Sequence, residues 1–219
     1  MTRILNTLLI LVIVIGMVTW VRQRQSIGHQ EREYQRLAAN YGVLDVQDSK
    51  KFLVTRIDTD DPMHFLWRVY YPAKISILER ESFADSGKSG GSFTNIAARE
   101  QLFRIRIEFT DTAIRAHILD GSGGSLLSYN RAQSTDFLKA HWQDLEFDVL
   151  AADGTRKFDT DEVLPFLRVR LPDDLIEELD RSVSTKIAES LKREPIFESL
   201  RGTPEAFEQW DRLARENAL

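Results

Sequence analysis

Residues 103 to 109 alternate strictly between apolar and charged side chains, and this pattern limits the fold more than any other feature of the sequence. The apolar side chains are those of Phe103, Ile105, Ile107 and Phe109, and the charged ones are those of Arg104, Arg106 and Glu108. Successive side chains of a β-strand point to opposite faces. The alternation therefore predicts a strand that covers a core with one face and meets water with the other.

The next segment, residues 114 to 119, alternates in the same way and predicts the second strand of a hairpin. Its register follows if the numbers of facing residues sum to 223. The predicted pairs are Phe109 with Ile114, Ile107 with Ala116, Ile105 with Ile118 and Glu108 with Arg115. A register shifted by one residue would place Arg115 opposite Ile107 on the buried face, which is strongly unfavourable.

Period-two patterns recur from residue 43 to residue 172 and predict an antiparallel β-rich domain. Most connections between the candidate strands are too short for crossover helices, which favours antiparallel pairing. The candidate strands span residues 52–57, 64–71, 74–80, 102–109, 114–119, 125–129, 144–150 and 166–171. The segment between Glu81 and Gln101 is rich in glycine and serine, and it is predicted to be a flexible insertion.

Helical patterns occur at residues 134–142 and in the C-terminal part of the chain, and together with the strands they predict an α+β fold class. A short helix is predicted at 134–142, and residues 173–219 are predicted to form a helical tail packed on the β-rich domain. Apolar residues recur every four positions from Leu175 to Pro195, and a last helix begins at Thr203 with Pro204 at its first position. Both tail helices are amphipathic, so packing on the sheet is expected, with docking of a partner protein as the alternative.

An uncharged apolar run from Ile4 to Val21 predicts a transmembrane anchor over residues 1–21. An 18-residue helix is about 27 Å long, close to the roughly 30 Å thickness of the hydrocarbon core. No pair of small residues suited to a signal peptidase follows the run, so a retained single-pass anchor in the lipid bilayer is expected rather than a cleaved signal. Basic residues on both sides of the run leave the side of the soluble domain open.

Residues 22–42 predict a helical stalk between the anchor and the β-rich domain. Ile27, Tyr34 and Tyr41 are seven residues apart, and Gly42 ends the pattern. A solvated extension of the membrane helix and a short coiled coil that makes a homodimer both fit this spacing. Two heptads fall short of the three or four that identify a coiled coil.

Composition excludes several classes of protein. The formal net charge is −5, whereas a dedicated nucleic-acid binder is usually basic, so no nucleic-acid partner is expected. The chain contains no cysteine, which excludes structural disulfides and cysteine-ligated zinc. Its four histidines are scattered, and its aspartates do not follow the calcium-loop spacing. No metal and no cofactor are therefore expected.

A strip of cationic side chains is the candidate ligand-binding site. Arg104, Arg106, Arg115 and His117 are predicted to share the solvated face of the hairpin and to bind an anion there, although a solvated face needs no ligand. The aromatic strand around Phe65 and Trp67 offers a second possibility, an exposed platform that stacks on sugars, but its period of two favours the core.

No set of catalytic residues is predicted. The segment from Gly87 to Gly91 matches the G-x-S-x-G pattern of a serine nucleophile, but it lacks the strand that should precede it and the helix that should follow it. Residues 120–124 are predicted to be a hairpin connection.

These patterns predict a membrane-anchored protein and favour a non-enzymatic role over catalysis. The first expectation is an interaction or scaffolding module, because the chain combines an anchor, a stalk and an amphipathic tail. A membrane-tethered domain that binds a small molecule or a glycan, with the Glu81 to Gln101 segment as a mobile cover, is the alternative. A tethered hydrolase is the third.

Overall fold

The computed structural model divides the chain into two units, residues 1–43 and Leu44–Leu219. It describes residues 44–84, 89–95, 97–121 and 123–216. The predicted anchor and stalk lie outside the described residues. Within the described part, no helix has the length and apolar character needed to cross a membrane.

Two antiparallel sheets and four α-helices build the described part of the second unit. The strands are β1 (Phe52–Ile57), β2 (His64–Tyr71), β3 (Ile75–Phe83), β4 (Ser92–Asn95), β5 (Arg99–Phe109), β6 (Ile114–Asp120), β7 (Gly123–Tyr129), β8 (Glu146–Val149), β9 (Arg156–Phe158), β10 (Leu164–Arg170) and β11 (Phe197–Gly202). The helices are α1 (Ala132–Ala140), α2 (Ile176–Ser182), α3 (Thr185–Arg193) and α4 (Pro204–Glu216), with short 3-10 turns at Trp142–Asp144 and Asp173–Leu175. The predicted α+β class is therefore confirmed for this region.

The order of the strands defines the two sheets. Sheet A has the order β7-β6-β5-β2-β1-β9, and sheet B has the order β4-β3-β11-β10-β8. Aromatic side chains from the two sheets meet between them. Phe166 of sheet B lies edge-on to both Trp67 and Phe103 of sheet A, with ring centroids 5.3 Å and 4.8 Å apart. The main core therefore lies between the facing sheets.

The hairpin predicted from the alternation is confirmed pair by pair. Phe109 faces Ile114, Ile107 faces Ala116, Ile105 faces Ile118, and Glu108 faces Arg115. The apolar members of these pairs lie in the core, except that Phe109 is half-buried against it, while Arg104, Arg106 and Glu108 are exposed. The burial of one face fixes the register, as the sequence pattern requires.

The idea of an exposed aromatic platform on β2 is wrong. Phe65, Trp67, Val69 and Tyr71 face the core and are buried, as the period of two predicts. Tyr70, on the opposite face, is buried as well, because it packs with Leu44 and Leu53.

The prediction of a flexible insertion from Glu81 to Gln101 is also wrong for the described residues. β3 continues through Glu81 to Phe83, Ser89 pairs with Glu81, and β4 returns alongside β3. Backbone hydrogen bonds link the Glu81 amide to the Ser89 carbonyl and the Glu79 amide to the Gly91 carbonyl. The described residues of this segment are therefore largely paired in sheet B, although their glycine- and serine-rich composition is typical of a loop.

The predicted helical tail from residue 173 contains a strand. β11 lies between β3 and β10 in sheet B, so the chain after residue 172 completes this sheet rather than only covering it. The single helix predicted before Pro195 is two helices, because Val183 is extended and breaks them. The break lets Leu179 of α2 and Leu191 of α3 both reach the main core.

Helix α4 packs on the outer face of sheet B, as predicted for an amphipathic tail helix. Its Phe207 is buried with Val163 and Leu200 in a second, smaller core. The helix begins where the sequence predicts. The Thr203 hydroxyl accepts a hydrogen bond from the Ala206 amide at 3.1 Å, and Pro204 is the first helical residue.

Candidate functional site

A polar cavity of about 240 Å³ opens near one end of the core, where the two sheets face each other. Sheet B contributes Glu79 and Glu81 of β3 and Arg201 of β11, and sheet A contributes Asp120 from the end of β6. Two glycine-rich segments, residues 89–92 and 123–125, complete most of its wall. The cavity is therefore lined mainly by charged side chains, glycines and serines, with Phe93 and Ile118 as its apolar residues.

Strand geometry explains why charged groups lie so deep. Along β3 the positions that face the core are every second residue, and two of them carry carboxylates: Glu79 and Glu81 lie between Ile77 and Phe83. The antiparallel register then sets Arg201 directly opposite Glu79. A cation and two anions thus occupy inward positions that apolar residues fill elsewhere in the sheet.

Arg201 is the centre of the cluster, and its side chain is only 1% exposed. Its Nη1 donates a hydrogen bond to the hydroxyl oxygen of Tyr71 at 3.0 Å. Its Nη2 lies 2.8 Å from Asp120 Oδ2 and 2.6 Å from Glu79 Oε1. The guanidinium also stacks on the ring of Phe103, with its central carbon 3.7 Å from the ring centroid. These contacts hold the guanidinium in one orientation.

The cluster holds three carboxyl groups and one guanidinium, so it carries an excess of negative charge when all groups are ionised. Burial raises the pKa of Glu79 to about 7; Arg201 opposes this shift, and a hydrogen bond with Asp120 adds to it. Burial also raises the pKa of Glu81 to about 7, again opposed by Arg201. Burial alone would lower the pKa of Arg201, but Tyr71, Glu79 and Asp120 raise it instead. Arg201 therefore stays charged, while the two glutamates titrate near neutral pH.

Several buried polar atoms in or next to the lining of the cavity have no hydrogen-bond partner among the described residues. Glu81 is 2% exposed, and its Oε1 is one of these atoms. The other such atoms of the cavity lining are Oε1 of Glu79 and Nε of Arg201, and the hydroxyl oxygen of Ser199, which faces Glu81 across the strands, is also unpaired. Buried polar groups are almost always paired. A group of unpaired ones beside an open cavity marks a place where another molecule can bind.

The glycines of the wall allow close backbone approach. A Cβ atom on Gly90 would lie 2.3 Å from the carbonyl oxygen of Glu79, so only glycine fits there. A Cβ atom on Gly124 would lie 2.7 Å from the side chain of Leu119. On the β6–β7 side, Asp120 Oδ1 accepts a hydrogen bond from the Gly123 amide at 3.0 Å, which fixes the turn. A hairpin connection is thus confirmed here, but it is shorter than the predicted 120–124, because β6 continues to Asp120 and β7 starts at Gly123.

Ser89 does not have the geometry of a serine nucleophile. It lies in extended chain paired with Glu81, and strand β4 follows it. A nucleophile elbow is a sharp turn from a strand into a helix. The match to G-x-S-x-G is therefore a coincidence of composition, although Ser89 does line the cavity.

The cationic strip predicted from sequence is assembled as expected on the outer face of sheet A. Arg106 pairs with His117, and Arg115 pairs with Glu108, while Arg104 is the next outward residue of β5. His117 lies 2.9 Å from Glu108 Oε2, so a carboxylate already occupies part of the strip. The three arginines are exposed, and screening by water weakens such charges. None of the four residues lines the cavity.

The cluster around Arg201 was not predicted from the sequence. The sequence contains one signal for it. Glu79 and Glu81 alternate with Ile77 and Phe83 at every second position, so in a strand their side chains face the core. Their partner Arg201 is distant in the sequence and lies in a strand that was not predicted.

A second, more apolar cavity of about 380 Å³ lies near the start of β2, beside Phe65, Trp142 and Phe147. The six residue-to-residue steps from Phe65 to Tyr71 separate it from the Arg201 cluster by about 20 Å along the strand. No group of three or more His, Cys, Asp or Glu side chains placed to hold a metal ion occurs in the described part of the chain.

Comparison with known proteins identifies no relative: no family model, no curated protein and no solved structure matches this chain.

Proposed function

We propose that this chain is a membrane-tethered ligand-binding domain and that the cavity around Arg201 is its binding site. The observation that carries the proposal is the buried carboxyl group of Glu81 at the wall of an open cavity, whose Oε1 has no hydrogen-bond partner among the described residues. The anchor from Ile4 to Val21 is part of the proposal on the strength of its sequence.

The energetics of the cluster argue for a role beyond stability. A buried ion pair stabilises a fold only when its remaining polar atoms are satisfied. Here two glutamates with pKa values near 7 and one arginine with a free Nε lie next to unfilled space. Strained electrostatics of this kind are concentrated at binding and catalytic sites. A ligand that pairs with Glu81 would reduce the free-energy cost of burying this carboxyl group without a partner.

The interaction or scaffolding module, the first expectation from the sequence, shares the anchor and the absence of enzymatic activity with this proposal. The cavity favours ligand binding over it, because a scaffold needs no enclosed set of charges. The extended conformation of Ser89 argues against the tethered hydrolase. Whether the domain faces the cytoplasm or the outside decides which ligands it meets.

A thermal-shift screen of the full-length chain in a non-ionic detergent tests the proposal. The panel contains small amines, amino acids, polyols, sugars and carboxylates. A ligand that binds only the native state raises the melting temperature by mass action, so we expect at least one class to do so.

A matched pair of variants assigns any hit to the cavity. Ser125 and Ser128 are both exposed on β7, but only Ser125 lines the cavity. Ser125→Trp should block binding, and Ser128→Trp should leave it intact. The proposal is wrong if no compound raises the melting temperature, or if the hits act equally on both variants.

A further inference from the structure

We propose that the ligand of this cavity carries an organic cation, a protonated amine or an amidine or guanidine group, and that this cation pairs with Glu81. The inference rests on the proposed function and specifies the chemistry of its ligand.

The charges around the cavity carry the argument. Glu79 and Glu81 reach it from β3, Asp120 from β6, and Arg201 from β11, with the hydroxyl of Tyr71 from β2 behind the guanidinium. Arg201 already contacts Glu79 and Asp120, at 2.6 Å and 2.8 Å. Glu81 is the carboxyl group of the cavity that makes no ion pair with Arg201 among the described residues, and its Oε1 has no hydrogen-bond partner there. A cation beside Glu81 supplies the missing charge and the missing donor together.

Arg99, which contacts the cavity residue Phe93, does not supply this cation. Arg99 of β5 stacks its guanidinium on the ring of Phe93, 5.4 Å from the centroid, and it does not line the cavity. Phe93 and Ile118 line the wall instead. The cavity therefore offers an anionic wall and apolar patches, which suits a charged nitrogen on a short carbon chain.

An anionic ligand does not fit this site. It would add negative charge to a cluster that already has more carboxylates than cations, in a place where charge is poorly solvated. Both terminal nitrogens of Arg201 are engaged with Tyr71, Glu79 and Asp120. Only Nε is unpaired, and the side chain is 1% exposed.

A metal cation does not fit either. The described residues include no group of three ligating side chains placed for a metal. The Nη2 atom of Arg201 also lies within 3 Å of both Glu79 and Asp120, so its positive charge would repel a metal bound there. An organic cation needs only one carboxylate partner, whereas a metal ion needs several ligands, so Glu81 alone suits the organic cation.

The size of the cavity limits the ligand. Its volume of about 240 Å³ is below the roughly 300–1,000 Å³ of sites for drug-sized molecules. A single small amine fits this space better than a large metabolite does.

Binding of a cation is coupled to protons at this site. The ligand favours the ionised form of Glu81, whose pKa is raised to about 7 by burial, so binding near neutral pH releases protons. A group with this pKa is about tenfold less ionised at pH 6 than at pH 8. Affinity should therefore fall about tenfold between pH 8 and pH 6.

Isothermal titration of the full-length chain with four-carbon probes tests the inference. Butylamine and butylguanidine are the cations, butan-1-ol is the neutral analogue, and butyrate is the anion. We expect the cations to bind at pH 8, to bind about tenfold more weakly at pH 6, and to displace protons that a buffer of high ionisation enthalpy detects. Butanol and butyrate should bind much more weakly.

Variants separate this inference from the proposed function. Glu81→Gln keeps the shape and removes the charge, so it should weaken butylamine at least tenfold, while Glu205→Gln on the exposed start of α4 should not. If the neutral or anionic probe binds better, in a manner that Ser125→Trp blocks, the cation inference is wrong and the ligand-binding proposal stands. If the four probes and the wider panel all fail, both are wrong.

Discussion

Glu81 is a carboxyl group that the fold keeps away from water, with one oxygen that no described residue contacts by a hydrogen bond. Its ordinary pKa of 4.5 rises to about 7 because burial disfavours the charged form. Below pH 4.5 the group is protonated in both the folded and the unfolded chain, so it does not affect stability. Between pH 4.5 and 7 it is ionised mainly in the unfolded chain, and stability falls as pH rises.

Replacing this carboxyl group with an amide should therefore stabilise the unliganded protein at high pH. For Glu81→Gln we expect the free energy of unfolding to rise by about 2–3 kcal/mol at pH 8 and to be unchanged at pH 4. Urea unfolding followed at several pH values measures the difference. Part of the pH dependence should remain, because Glu79 also has a raised pKa.

An exposed glutamate is the control for this variant. The Glu177 side chain is 90% exposed on α2, so Glu177→Gln should leave the pH profile as it is. Equal profiles for Glu81→Gln and the wild type would show that Glu81 is solvated in the folded protein.

Strands with one apolar face could be predicted from the sequence, and strands that carry the site could not. β1 and β2 match their predicted limits, and the register of β5 with β6 is correct, because apolar burial alone defines these elements. β11 was missed because two of its inward positions hold Ser199 and Arg201 rather than apolar residues. The same polar residues that contribute to the candidate site thus interrupt the apolar alternation by which β11 could have been predicted.

The return segment before β4 depends on a glycine. Gly90→Ala would place a methyl group 2.3 Å from the Glu79 carbonyl oxygen, and neither backbone can move without breaking the pairing of Ser89 with Glu81. We expect a loss of about 2 kcal/mol in unfolding free energy, together with weaker ligand binding. Chemical denaturation measures the first effect.

Gly123 is the matched control on the facing wall. Nothing lies within 4 Å of a Cβ atom built there, so Gly123→Ala should change stability by less than about 1 kcal/mol. A similar loss of stability in both variants would mean that the close contact between residue 90 and the Glu79 carbonyl oxygen is not its cause.

Helix α4 depends on a cap that α3 lacks. The Thr203 hydroxyl accepts from the Ala206 amide and donates to the Thr160 carbonyl oxygen, at 3.1 Å and 2.9 Å. Ser184, at the same position of α3, makes no side-chain capping hydrogen bond. Thr203→Ala should cost about 1 kcal/mol in thermal or urea unfolding, and Ser184→Ala should cost less than about 0.5 kcal/mol. Equal costs would contradict a capping role for Thr203.

At the scale of the whole molecule, the last strand of the chain, β11, joins the two parts of sheet B. β11 pairs with β3 on one side and β10 on the other, and these strands make no pair with each other. A chain that ends after Pro195 therefore leaves sheet B in two pieces and should not fold, as judged by near-ultraviolet circular dichroism and the absence of a cooperative unfolding transition.

A longer truncation provides the comparison. A chain that ends after Gly202 keeps β11 and loses only α4, which exposes Val163 and Leu200. It should fold, with a lower melting temperature than the full chain. A cooperative transition in the shorter chain would show that β11 is not needed to join the two parts of sheet B.

The position of β11 also bears on how the protein is made. During synthesis, the strands of sheet A and the other strands of sheet B leave the ribosome well before Phe197. Until β11 follows, the edges of β3 and β10 that pair with it remain unpaired. Pairing of Phe197 with Phe83 spans more than half of the chain, and contacts of this range slow folding. The same late strand delivers Arg201 to carboxyl groups that were synthesised long before it. A protein interrupted near its end would therefore keep an uncompensated group of acids and open edges, which are features that chaperones and proteases recognise.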